Sequence, residues 1–170
     1  SGIIKARVLH TAGMGESVID EQIGELELLA NPTVGLAAHY GVVDIRITAK
    51  AESEAQADEL IAGVEQTIRA RLGRVVYAAD EETLEDVVLA ALAQKGWSLT
   101  VVEANTGGEL SRRLAARQHP NFSGGKILVL GASQSLAAAV GADSANAGKQ
   151  VTLLFGAARG DIDVVEDLAQ

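Results

Sequence analysis

One segment of the sequence combines residue types that could bind an anion. Residues 102–114 read V-E-A-N-T-G-G-E-L-S-R-R-L and pass from an apolar run through a glycine pair into a segment with helical spacing. A strand, a turn at Thr106, Gly107 and Gly108, and a helix in this order would direct unpaired backbone N–H groups and the positive end of the helix at one point. The segment therefore predicts a cradle for the phosphate of a small ligand.

The same segment also fits a purely structural interpretation. Thr106 and Glu109 have the spacing of a capping box, in which the Glu109 carboxylate folds back onto the start of the helix. A carboxylate there stabilises the helix, and it would repel a second anion. Arg112, Arg113 and Arg117 could grip a phosphate, but Glu109 lies three and four residues before the first two, which favours surface ion pairs. We expect Glu109 to take the place of the phosphate.

No other motif completes a catalytic site. Residues 131–135 read G-A-S-Q-S but lack the last glycine of a nucleophile elbow, and no His follows Ser133, so Ser133 is predicted to cap a helix. Gly148 and Lys149 lack the first glycine of a phosphate-binding P-loop. The three histidines lack the spacing of metal ligands, and the chain has no Cys. We predict no catalytic residue, no metal and no cofactor.

The composition argues against two kinds of partner. Aromatic residues make up 3% of the chain and the net charge is -9, with -7 in residues 1–82 and -2 in residues 83–170. Nucleic acid binding needs basic side chains, and single strands also need aromatic ones, so no nucleic acid partner is predicted. No apolar run approaches the length of about 18 residues that spans a membrane, and no signal peptide is recognisable, so we expect a cytoplasmic protein. Because a strand pattern starts at Ile3, we expect a piece of a longer protein.

The first half of the chain predicts a small α+β domain. Alternating apolar and polar residues indicate strands, and apolar residues at helical spacing indicate helices. The predicted strands cover residues 4–8, 44–50 and 75–78, and the predicted helices cover residues 18–26 and 54–72. Ser53 and Gln56 have the spacing of a capping box at the second helix. Small residues up to Gly41 predict a loop before the second strand.

The second half predicts a parallel sheet. A charge run at residues 80–82 marks the boundary between predicted domains 1–80 and 81–170, and residues 84–92 have helical spacing. Three continuous apolar runs follow, at residues 99–104, 127–130 and 151–155. Buried strands of this kind, separated by helices, indicate a mainly parallel sheet with helices on both faces. The predicted fold class is α/β, with a small α+β domain followed by a short α/β domain.

Several short motifs in the first half resemble the CinA family of competence/damage-inducible proteins. G-M-G-E-S, A-N-P-T-V, V-D-I-R-I-T-A-K-A and R-L-G-R-V-V-Y are similar to its KH-type domain; they cover residues 13–17, 30–34, 43–51 and 71–77. E-E-T-L-E-D-V-V at residues 81–88 is similar to the start of its amidase domain. The resemblance implies a KH-like α+β domain followed by a domain related to nicotinamide-nucleotide amidohydrolases. The family's N-terminal domain would lie before Ser1.

The resemblance also supplies the candidate site. The family's amidase segment reads A-E-S-C-T-G-G, of which Glu103, Thr106, Gly107 and Gly108 are present here while the Ser and Cys positions differ. These four residues are the predicted ligand-binding residues, and the implied ligand is a small phosphorylated molecule similar to nicotinamide mononucleotide. The family's later Gly-Ser-Ser, Tyr-Ser-Asn and Gly-Ile-Ala-Gly-Pro segments are missing from the sequence.

Two functions follow from this pattern. The first is a CinA-like protein whose shortened amidase-type domain is catalytically impaired and acts as a structural, oligomerisation or weak ligand-binding module. The second is an active nicotinamide mononucleotide amidohydrolase of pyridine nucleotide salvage, which would use residues around Glu103, Thr106 and Ser123. The Ala- and Gly-rich residues 136–148 would allow close helix packing, within the fold or in a homo-oligomer.

Overall fold

The computed structural model describes residues 2–39 and 41–129, together with the backbone of residues 150–156. The chain divides into two compact units, Ser1–Leu84 and Glu85–Gln170. The predictions made for residues 131–135, for residues 136–148 and for Lys149 lie outside the described residues.

The first unit is built on an antiparallel sheet of four strands. Its elements are β1 (Ile3–Ala12), α1 (Glu16–Glu27), β2 (Thr33–His39), β3 (Val42–Ala51), α2 (Glu54–Leu72), a short 3-10 turn (Gly73–Val75) and β4 (Val76–Ala79). The strand order is β2-β3-β1-β4. The long pairing of β1 with β3 runs from Ile3 opposite Ala51 to Ala12 opposite Val42.

Apolar and polar side chains alternate along the strands, so the sheet has one apolar face, and the two helices cover this face. In β3, every second side chain from Val43 to Ala51 is buried. Helix α2 packs on β1 and β3, and α1 packs on β2 and α2. The resulting core is aliphatic and contains Leu9, Ile19, Ile23, Val34, Val43, Ile45, Ile47, Ala49, Ala51, Ala57, Ile61, Ile68, Leu72 and Val76.

The prediction of a loop before β3 is wrong, because residues 33–39 form strand β2. This strand pairs with β3 from Thr33 opposite Thr48 to His39 opposite Val42. In the described sheet it is an edge strand, and only Val34 among its side chains is buried. An edge strand of small residues has little apolar alternation, so its sequence resembles that of a loop.

The second unit contains a parallel sheet. Its described elements are α3 (Leu84–Gln94), which starts at the last residue of the first unit, β5 (Ser98–Ala104), α4 (Glu109–Ala116), β6 (Phe122–Leu128) and β7 (Gln150–Gly156). The strand order is β6-β5-β7, with β5 parallel to both neighbours. Leu89, Leu99, Val101 and Leu114 form its described core.

The predicted fold class is confirmed: an antiparallel α+β unit is followed by an α/β unit with a parallel sheet. One strand differs from its predicted position, because β6 begins at Phe122 instead of Ile127 and includes Gly124 and Gly125. Glycines weaken the apolar signal of a strand, and here Gly125 lies against helix α4. None of the described helices is long and apolar enough to cross a membrane.

Candidate functional site

The centre of the candidate site is a buried carboxylate at the end of β5. Glu103 is fully buried, with 0% of its surface exposed. Its Oε1 accepts hydrogen bonds from Ser111 N (2.7 Å) and Ser111 Oγ (2.6 Å), and its Oε2 accepts from Leu110 N (3.0 Å) and Thr106 Oγ1 (2.8 Å). Each carboxylate oxygen therefore receives two hydrogen bonds, which is the full complement of an ionised carboxylate.

These hydrogen bonds keep Glu103 ionised despite its burial. Burial alone acts to raise the pKa of the Glu103 carboxyl, because the charged form loses its hydration. The hydrogen bonds from Ser111, Thr106 and Leu110 favour the charged form more strongly, so the pKa lies below its ordinary value. The positive end of α4 favours the same ionised form.

Glu103 accepts the hydrogen bonds that the side chain of an N-cap residue usually accepts. Helix α4 begins at Glu109, and its N-cap residue is Gly108, which has no side chain to accept a hydrogen bond. The amides that Glu103 binds, at Leu110 and Ser111, are the second and third of the helix, which N-cap side chains normally satisfy. The anion at the start of α4 is therefore the Glu103 carboxylate, which belongs to the preceding strand β5.

The turn between β5 and α4 needs residues that adopt left-handed backbone angles. Asn105, Gly107 and Gly108 have φ values of +56°, +71° and +81°. A Cβ on Gly108 would also lie 2.3 Å from Cδ1 of Ile127 on β6. Gly108 is thus required by its backbone conformation, and the exposed Ile127 side chain would have to move aside for a Cβ at this position.

Helix α4 approaches β6 closely at a second glycine. A Cβ on Gly125 would lie 2.0 Å from Ser111 Oγ and 2.5 Å from Ser111 Cβ. Because Ser111 supplies two of the four hydrogen bonds to Glu103, the space left by Gly125 helps to place the donors of the carboxylate. Sequence reasoning missed Ser111; the available signal was a small polar residue in the first turn of a helix that follows a buried acid.

The predicted capping box of Thr106 and Glu109 is wrong. Thr106 lies before the N-cap residue, and its hydroxyl donates to Glu103, while Gly108 N lies 3.4 Å from Thr106 Oγ1. The Glu109 carboxylate is exposed and accepts hydrogen bonds from Arg112 Nε (2.8 Å) and Nη2 (2.7 Å). The expectation of an internal anion at this helix start fits the structure, but the anion is Glu103, because a buried carboxylate on the preceding strand already satisfies these amides.

The three arginines of the α4 region form ion pairs. Arg112 pairs with Glu109, as predicted. Arg113 pairs with Glu85, and Arg117 Nε lies 2.7 Å from Asp86 Oδ1, so both connect α4 to the start of α3. The predicted pair of Arg113 with Glu109 is replaced by this contact.

The structure brings the four predicted ligand-binding residues into one turn but places Ser123 elsewhere. Glu103, Thr106, Gly107 and Gly108 follow each other around the carboxyl end of β5. Ser123 lies near the start of β6, whereas the residue opposite Glu103 in that strand is Ile127, four positions later. In a parallel pair this offset corresponds to about 13 Å along the strand. The structure therefore does not place Ser123 beside Glu103 and Thr106.

Histidines do not contribute to this turn. His10 and His39 both lie near Asp44 in the first unit, and His119 accepts a hydrogen bond from Asn121 N in the second. Within residues 2–39 and 41–129, no group of three or more His, Asp or Glu side chains could hold a metal ion.

The fold and the site together define a two-unit α/β protein in which a buried acid closes the strand–turn–helix cradle of the second unit. Comparison with known proteins indicates which protein family the chain is similar to. Residues 6–78 match the family model of the damage-inducible protein CinA KH domain. The chain belongs to the CinA family.

Curated relatives support this assignment beyond the KH domain. A CinA-like protein of Dictyoglomus turgidum is 43% identical over 115 residues, which is 67% of this chain and 28% of the relative. A CinA-like protein of Frankia casuarinae is 38% identical over 156 residues, covering 84% of this chain and 36% of the relative. A putative competence-damage inducible protein of Caldanaerobacter subterraneus is 40% identical over 114 residues, again 67% of this chain and 27% of the relative.

These alignments are longer than the first unit, so they include part of the second. The chain spans about 30% of the length of these relatives.

Proposed function

We propose that the second unit is a non-catalytic form of the CinA amidase-type domain and acts as a structural module of a CinA-like protein. One observation carries the proposal: Ala104 and Asn105 stand where the family's motif has Ser and Cys, and the retained Glu103 is hydrogen-bonded to Thr106 and to the first turn of α4. A second anion at the same amides would meet a buried negative charge and find two of the donors already used.

The chemistry of the turn supports the same proposal. Amide hydrolysis needs an activated nucleophile or water and a group that stabilises the oxyanion. Of the two hydroxyls that donate to Glu103 at this turn, Ser111 Oγ lies nearer to the carboxylate, at 2.6 Å from Oε1. Because the pKa of Glu103 is lowered, its carboxylate is a weak base for removing a hydroxyl proton at neutral pH.

Ammonia release from nicotinamide mononucleotide tests the proposal. The purified chain should release no ammonia above the buffer background, with a nicotinamide-nucleotide amidohydrolase of known activity as the positive control. Turnover that disappears in Thr106→Ala or Ser111→Ala would overturn it and favour the alternative, an active amidohydrolase of pyridine nucleotide salvage.

Calorimetry with inorganic phosphate tests the occupied cradle separately. The unmodified chain should show no binding, and Glu103→Ala should gain weak binding, because both the negative charge and the side chain that occupies the amides of α4 are removed. Glu109→Ala is the matched control, since it removes an exposed acid at the same end of α4 and should bind no phosphate. The small phosphorylated ligand, the homo-oligomer and the cytoplasmic location stay predictions.

A further inference from the structure

His10 in the first unit contacts two hydrogen-bond acceptors at once. Its Nδ1 lies 2.7 Å from Asp44 Oδ1, and its Nε2 lies 2.7 Å from the backbone carbonyl oxygen of Asp80. A carbonyl oxygen can only accept, and so can an ionised carboxylate, so both ring nitrogens must carry a proton. The geometry therefore assigns a positively charged imidazolium to His10.

The two contacts connect three parts of the first unit. His10 lies on β1, Asp44 is its partner residue on β3, and Asp80 is the residue that follows β4. Asp80 has a φ of +54°, a left-handed conformation that a non-glycine residue keeps only when its surroundings hold it. The hydrogen bond from His10 is one of the contacts that hold it.

Other contacts anchor Asp80 to β1. Its N–H donates to the Val8 carbonyl oxygen (2.8 Å), Val8 N–H donates to its Oδ1 (3.0 Å), and Arg7 Nε lies 3.0 Å from its Oδ2. None of these contacts involves the His10 ring itself. They make the amides of Val8 and Asp80 reporters of how tightly the segment is held.

We propose that His10 is a proton-dependent clasp, which fixes the chain leaving β4 against β1 while its ring carries both protons and loosens it when one proton is lost. The neutral ring keeps its remaining proton on Nδ1, because the Asp44 carboxylate is the stronger acceptor. The lone pair of Nε2 then faces the Asp80 carbonyl oxygen, and this contact becomes repulsive.

The groups that face His10 set the pH range of the clasp. Asp44 on β3 and the Asp80 segment after β4 favour the charged ring. Tyr77 on β4 stacks on the ring with centroids 6.1 Å apart. His39 on β2 lies 3.6 Å from the other oxygen of Asp44, and Arg7 on β1 neutralises the Asp80 side chain.

The balance of these groups favours the charged ring. Partial burial alone acts to lower the pKa of His10, but the hydrogen bonds to Asp80 and Asp44 outweigh it, so the pKa lies above the ordinary value of 6.5. A histidine with a raised folded-state pKa stabilises the fold fully below 6.5 and loses this effect as the pH rises through the folded value.

Two NMR measurements on the full chain test the clasp. The titration of the His10 ring should give a pKa above 6.5, and the exchange protection of the Val8 and Asp80 amides, corrected for the intrinsic rate, should fall as the pH passes that value. In His10→Gln the protection of both amides should be lower than in the unmodified chain and independent of pH across the same range. His39→Gln, which changes an exposed histidine on the same carboxylate, should keep the wild-type pH dependence.

The titration of the unmodified chain keeps the test decisive even where a variant fails to fold. A His10 pKa at or below 6.5, or protection of Val8 and Asp80 that does not change across the titration, would overturn the clasp.

Discussion

Helices α2 and α4 both begin with backbone N–H groups that need acceptors, and the two units supply these acceptors differently. At α2, the N-cap residue Ser53 accepts a hydrogen bond from Gln56 N through its own side chain, at 3.2 Å. At α4, the N-cap residue is a glycine, and the acceptor is the buried carboxylate of Glu103 from the preceding strand.

The comparison shows how a local cap differs from a tertiary one. The cap of α2 is neutral, exposed and three residues from its donor, so it stabilises one helix. The cap of α4 is charged and fully buried, and it joins β5, the turn and α4 in one network. A ligand could replace solvent at the first kind of helix start, but at the second it would have to displace a part of the fold.

Glu103→Gln should have the largest effect. The amide keeps the size of the side chain but turns one acceptor into a donor, so two of the four donors lose their partner. We expect the second unit to lose about 3 kcal/mol of stability, since hydrogen bonds to a charged group contribute about 1.5 to 3 kcal/mol each. Trp97, the single tryptophan of the chain, lies in this unit, so its fluorescence during urea unfolding measures the change. An unchanged unfolding midpoint would contradict the role of the carboxylate.

The stability of the second unit should also depend on pH in the acidic range. A carboxyl with a lowered folded-state pKa stabilises the fold above its unfolded value of 4.5 and loses this effect as the pH falls through the folded value. Trp97 fluorescence should therefore report a falling midpoint below pH 4.5, and Glu103→Gln should remove this part of the pH dependence. If the unmodified chain and Glu103→Gln showed the same loss of stability below pH 4.5, this loss would have to come from acidic residues other than Glu103.

Gly125→Ala should have the next largest effect. The added methyl group would collide with the Cβ and Oγ of Ser111 and push apart the strand and the helix that hold Glu103. Overpacking of this kind costs about 2 kcal/mol, again measured through Trp97. Gly35→Ala is the matched control, because a Cβ on this strand glycine of the first unit meets nothing within 4 Å. Equal effects of the two substitutions would rule out the close contact as the cause.

Ser53→Ala should cost less, about 1 kcal/mol of the stability of the first unit, which is the usual contribution of a serine N-cap. Circular dichroism measures the loss as a lower melting temperature of the helical signal. The effect should not vary between pH 4 and pH 8, because the serine hydroxyl does not titrate in that range. A loss of stability that tracks pH would indicate that the cap couples to a charged group.

Glu109→Gln should have the smallest effect of the series. Glu109 is exposed and pairs only with Arg112 among the described side chains of α4, and exposed pairs contribute little. The prediction matters because Glu109 and Glu103 are both acids near the same helix start. A loss of stability as large as that of Glu103→Gln would reverse the assignment of the internal anion.

Sequence patterns predicted the fold class because they depend on residues that are close in the chain. The alternation of β3 and the helical spacing of α2 follow directly from which side chains are buried, and the cap of α2 lies three residues from its donor. Strand β2 was missed because an edge strand of small residues has almost no apolar pattern.

The candidate site was predicted only in part, because its contacts cross the fold. The sequence located the turn and suggested an anion at the start of α4, but assigned the anion to Glu109, the acid with the standard spacing. The actual acceptor, Glu103, lies eight residues before Ser111, and its role depends on the path of the turn and on the closeness of Gly125 to the helix. Neither the path of the turn nor the close approach of Gly125 to α4 can be read from the sequence pattern.

The most direct test of the central claim is the titration of the Glu103 side-chain carboxyl carbon by NMR in the full chain. A carboxylate that serves as the internal anion of α4 should titrate below 4.5, because four hydrogen bonds favour its charged form. A value at or above 4.5 would show that burial dominates and that the start of α4 is not held by a resident charge.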